Sequence, residues 1–107
     1  MSETPLLDTI LEMSAASVER ANLSPEALML VRLAALVAVD GPPASFLINL
    51  GAGAQTDLTL EDARSVLVAV APIVGGPRVV SAAGNIARAL GFAALSLEVD
   101  EDEADKG

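Results

Sequence analysis

Repeated proline and glycine punctuation cuts this chain into helix-length pieces, and nothing else in it limits the possible folds as much. Thr4-Pro5, Ser24-Pro25, Gly41-Pro42-Pro43 and Gly75-Gly76-Pro77 each join a capping or chain-reversing residue to a proline, which a helix tolerates only in its first turn. Thr59-Leu60-Glu61-Asp62 adds a capping-box-like start, with its acids placed against the positive helix terminus. Between these marks the apolar residues recur at helical steps. Leu6, Leu7, Ile10, Leu11, Ala15 and Val18 form one stripe; Leu60, Ala63, Val66, Leu67, Val70, Ala71 and Val74 form another. Val79-Val80 and Leu95 to Val99 have some β-character, but neither has a hairpin partner flanked by turn residues. The reading is an all-α bundle of five or six helices in a single domain over residues 1–97, followed by a disordered acidic tail over 98–107.

Individual boundaries follow from the same signals. Asn22 is a candidate stop for the first helix, which Thr4 caps. The second, from Ser24-Pro25 to about Val39, is apolar nearly all round and is expected to be surrounded by protein. Arg32 is its only charge after the first turn, so its guanidinium has to reach solvent or meet a carboxylate. Gly41 suits a left-handed stop, and Pro43 opens the next helix, whose end Gly51 and Gly53 loosen. Pro72 should kink the fourth helix and free the Val68 carbonyl. Pro77 begins a last helix that runs to Leu90 and stops at Gly91, with Phe92 to Leu97 as a short docking extension.

Composition removes whole classes of chemistry. The chain contains no Cys and no His, so thiolate nucleophiles, disulfides, imidazole bases and the usual zinc or haem ligands are excluded. No metal and no cofactor is expected. Apolar residues make up 52% of the 107, mostly Ala, Val and Leu with two Phe, more than a helical chain this short can hide within itself. A homo-oligomer is therefore expected, with some of that surface buried between subunits. A membrane span would need roughly 20 nearly uncharged residues. Arg32, Arg78 and the Gly75-Gly76-Pro77 break interrupt the richest stretches, and the MSETPLLD opening lacks the pattern of a signal peptide. These features predict a soluble, cytoplasmic protein. Glu98, Asp100, Glu101, Asp102, Glu103 and Asp105 against Lys106 carry a net −5 of the chain's −9, which leaves −4 elsewhere and argues against nucleic acid. The Gly51-Ala-Gly53-Ala run follows no strand and precedes no Lys, so it reads as a loosened helix end rather than a phosphate loop.

From Leu23 to about Leu90 the order of features resembles the carboxymuconolactone decarboxylase and alkyl-hydroperoxidase-like family. The resemblance is carried by LSPEALMLVRLAALVAVDGPP, ASFLINLGAGAQ and LTLEDARSVLVAVAPIVGGPRVVSAAGNIARAL. It covers about two-thirds of the chain and rests on pattern, not on a unique motif. It implies an all-α fold assembling as a trimer or hexamer. The family's peroxidase branch uses a Glu, a Cys-x-x-Cys and a His in a proton relay. Anchored on Thr59, those positions fall on Leu30, on Pro42 and Ser45, and on Asn49. Leucine and proline relay no proton and asparagine does not titrate, so thiol peroxide reduction is excluded. Around the corresponding pocket the resemblance leaves Asp40, Ser45 and Asn49 as candidate catalytic groups, with Arg32 or Arg78 as candidate binders of a small carboxylate.

Three functions are weighed on this basis. The first is a non-catalytic oligomer that binds a small molecule or a protein partner. The second is a cofactor-free decarboxylase, isomerase or lactone-handling enzyme, with Asp40 as base and Arg32 or Arg78 as anion clamp. The third is a helix-turn-helix module, disfavoured because Gly-Gly-Pro occupies its turn and its recognition helix would offer only Arg78 and Arg88.

Overall fold

The computed structural model describes residues 3–50 and 58–91. Over those residues the chain forms α1 (Pro5–Arg20), α2 (Pro25–Ala38), α3 (Pro43–Leu50), α4 (Leu60–Val74) and α5 (Gly76–Leu90), and among them there is no strand. The Gly51 and Gly53 end of α3, the 92–97 extension and the acidic tail lie outside the described residues. None of the described helices is long and apolar enough to cross a membrane.

The helix starts follow the punctuation. Ser24 accepts a hydrogen bond from the Ala27 amide at 3.1 Å, satisfying one of the amides a helix start leaves without a partner. Thr59 and Asp62 form a reciprocal capping box, the Thr59 hydroxyl accepting from the Asp62 amide at 3.0 Å and the Asp62 carboxylate from the Thr59 amide at 3.1 Å. Thr4 holds the N-cap position of α1, but its hydroxyl donates to the Asp8 carboxylate at 3.2 Å. At the other end Gly91 adopts the left-handed conformation that stops α5. α4 runs on through Pro72 to Val74 without ending at it. Pro72 sits in the last turn on the exposed side, where water can reach the Val68 carbonyl it deprives of a partner.

Helices α2 to α5 make the core. α2 packs against α3, α4 and α5, and α5 also packs against α3 and α4. Leu33, Val37, Phe46 and Ile86 are fully buried at its centre, with Leu50, Leu58, Ala63, Leu67, Ala82, Ala83 and Leu90 around them. The α5 contribution is mostly alanine, which lets its backbone come close to α3 and α4. No polar or charged side chain is buried among the described residues.

Two parts of the chain depart from this. α2 is not enclosed on all sides within the single chain: it buries Leu28, Leu33 and Val37, while Val31, Ala35 and Ala38 share an exposed strip. α1 has no buried residue at all, although Leu6, Leu7, Ile10, Leu11, Met13 and Val18 are large and apolar.

Candidate functional site

The five candidate polar residues fall into two hydrogen-bonded groups, each built around an arginine and the C-terminal end of a helix that is not its own. In the first, Arg32 of α2 donates to the Ser14 hydroxyl at 2.8 Å, to the Ser14 carbonyl at 3.0 Å and to the Asn49 carbonyl at 3.3 Å. Arg32 is half-buried and meets no carboxylate among the described residues. Its partners are neutral oxygens, and the part-buried guanidinium is satisfied by number and direction of acceptors, not by an opposite charge. Asn49 lies in the last described turn of α3, toward the negative end of the helix dipole, so a cation there is favoured. The Asn49 side chain turns back on its own helix, its amide donating to the Ser45 carbonyl at 2.9 Å.

The second group locks the turn between α2 and α3. Gly41 donates its amide to the Leu36 carbonyl at 2.9 Å and Asp40 to the Val37 carbonyl at 3.2 Å, the paired bonds of a Schellman stop. The left-handed residue in this stop is Asp40, at φ 57, and not Gly41. Aspartate tolerates that region better than most residues, and here the Ser81 hydroxyl donates to its carboxylate at 3.0 Å. Glycine one residue later fits for a different reason. Gly41 is buried, and a Cβ there would stand 3.1 Å from Leu36 Cδ2.

Three side chains of α5 hold this turn from outside. Arg78 donates to the Ala38 carbonyl at 2.6 Å, Ser81 to Asp40, and the Asn85 amide to the Gly41 carbonyl at 3.3 Å. Residues 78, 81 and 85 are spaced three and four apart, which sets them on one face of α5. Ala38 is the last residue of α2, so Arg78 does at this helix end what Arg32 does at the end of α3.

Arg78 and Asp40 therefore meet at one turn, while Arg32 and Asn49 belong to the other group, and Ser45 contributes only its backbone carbonyl to the bond from Asn49. Leu30, at the position the resemblance assigns to a relay acid, packs against the core. Among the described residues no cluster of three or more acids offers a metal site. Ser14, Ser81 and Asn85 were not singled out from the sequence. The only signal for the latter two is their register with Arg78 on a helix following a Gly-Pro start.

The fold and this pair of arginine-capped helix ends define a small all-α chain of five described helices. Comparison with protein-family models, with curated proteins and with solved structures finds no match.

Proposed function

We propose that this protein is a non-catalytic, self-associating helical binding protein, on the plan of the carboxymuconolactone decarboxylase-like family but without its thiol peroxidase chemistry. One observation carries the reading. Four helices close a core among themselves, while the 16-residue α1 keeps its whole apolar stripe outside it. A stripe of that size left in water costs solubility unless something covers it. The lack of Cys and His supports the non-peroxidase part, since no other side chain supplies a thiolate.

A small carboxylate or a protein partner is the proposed ligand. Arg32 commits both terminal nitrogens to the protein, whereas Arg78 is exposed and donates a single bond to Ala38, keeping most of its guanidinium donors for a carboxylate. The rebuilt-enzyme alternative has less support. Its base, Asp40, accepts from Ser81 and holds a strained turn, which is work for the fold.

The test joins light scattering on the full chain to thermal melts with a panel of small mono- and dicarboxylates. The proposal expects a multimeric mass and a rise in Tm that Arg78→Ala removes. A monomer that no compound in the panel stabilises would overturn it.

A further inference from the structure

Building on the proposed self-association, we infer that α1 is the self-association element, and that it pairs antiparallel with α1 of a second copy. The apolar residues of α1 fall on two adjacent lines of heptad spacing. Leu7, Leu11, Ser14 and Val18 form one line, from which Ser14 meets Arg32 of α2 while Leu7, Leu11 and Val18 stay exposed. Leu6, Ile10, Met13 and Ser17 form the other. That second line carries the two most exposed of these side chains, Leu6 at 74% and Met13 at 67%, with Ile10 between them at 36%.

The second line is complementary to itself when reversed. It ends at Arg20, and Glu3 stands beyond its other end, two residues before Pro5 opens the helix. Its midpoint lies between Ile10 and Met13. Two such lines laid antiparallel about that point set Ile10 opposite Met13 of the second copy and Leu6 opposite Ser17, each pairing occurring twice, and bring the Glu3 end of each copy to the Arg20 end of the other. Neither Glu3 nor Arg20 forms an ion pair with its own chain among the described residues. Antiparallel helices also align their dipoles favourably, and a parallel pairing would set Glu3 against Glu3 and Arg20 against Arg20. This charge arrangement selects a second copy over an unrelated partner.

The area is sufficient but modest. Six large apolar side chains on α1 are each more than a third exposed, presenting on the order of 500 Å² per copy. A twofold contact along the helix then buries on the order of 1,000 Å² in total, the lower edge of specific interfaces. The dimer should therefore dissociate on dilution. A twofold contact also fits a dimer, or the dimeric contact within a hexamer, better than a lone trimer.

The experiment is sedimentation equilibrium on the full chain over a wide concentration range. Wild type is expected to give a reversible dimer or an even multiple of it. The double variant Leu6→Glu/Met13→Glu should raise the dissociation constant by about 100-fold or more, because four apolar side chains leave each interface. Arg20→Glu alone and Glu3→Arg alone should each raise it by about tenfold. Combined in one chain they should restore most of the affinity, since both ends then exchange sign together. No residue of α1 is buried, so helix content and Tm at dilution should stay at wild-type values and serve as the folding control. A wild-type monomer at all concentrations overturns both this inference and the self-association it rests on. An oligomer indifferent to Leu6→Glu/Met13→Glu overturns the inference while leaving self-association through another surface. Dissociation by the apolar variant without charge-swap recovery overturns the antiparallel register.

Discussion

α1 and α5 are nearly the same helix on paper and opposite in the structure. They have 16 and 15 residues, each carries a proline in its first turn, and each shows an apolar stripe. α5 buries Ala82, Ala83, Ile86, Ala89 and Leu90; α1, with larger apolar side chains, buries none. Side-chain size and anchoring account for the contrast. The alanines of α5 let it settle against three neighbours, and Arg78, Ser81 and Asn85 tie one of its faces to the α2–α3 turn. α1 is held to its own body chiefly by Arg32 at Ser14. An amphipathic pattern shows that a face needs cover, but not whether the cover lies in the same chain.

Substitutions on the two sides should separate cleanly. Phe46→Ala, in the core that α5 closes, should cost about 3–5 kcal/mol in urea melts and leave the chain unfolded or nearly so. No single apolar-to-alanine change on α1 should approach that at dilution. Arg32→Ala should cost about 1.5–3 kcal/mol, the range for hydrogen bonds from a charged donor. Its particular mark is local, because amide exchange in α1 should accelerate far more than in α5. Thr59→Ala removes half of the α4 capping box and should cost about 1 kcal/mol by thermal melting. The smallest effect is expected at Asp40→Gly. Relief of the left-handed backbone offsets the lost Ser81 bond, and the net change should stay within about 1 kcal/mol. A larger loss there would show that the Ser81–Asp40 bond, and not the turn geometry, holds α5 in place.

Helix positions were legible because each start depends on residues adjacent in sequence. Pro5, Pro25, Pro43 and Thr59 announce their helices, and Gly91 ends α5 as its position suggests. The α2 stop shows where local reading fails. Gly41 looked like the left-handed residue because glycine adopts that region at least cost, yet Asp40 takes it while Gly41 answers a packing demand from Leu36. The site was harder still. Arg32 and Arg78 stood out as charges, but their partners are backbone carbonyls, which every residue has, so no side-chain pattern could point to Asn49 or Ala38. Ser81 and Asn85 acquire their roles only when α5 is laid beside a turn some forty residues earlier.

Hydrogen exchange on the full chain at two widely separated concentrations tests the role of α1 most directly. Protection of α5 amides should be the same at both, since its cover belongs to its own chain. Protection of α1 amides should rise with concentration as the second copy supplies what the first lacks. Identical protection of α1 at both concentrations would contradict this, because its cover would then come from within the chain or not at all.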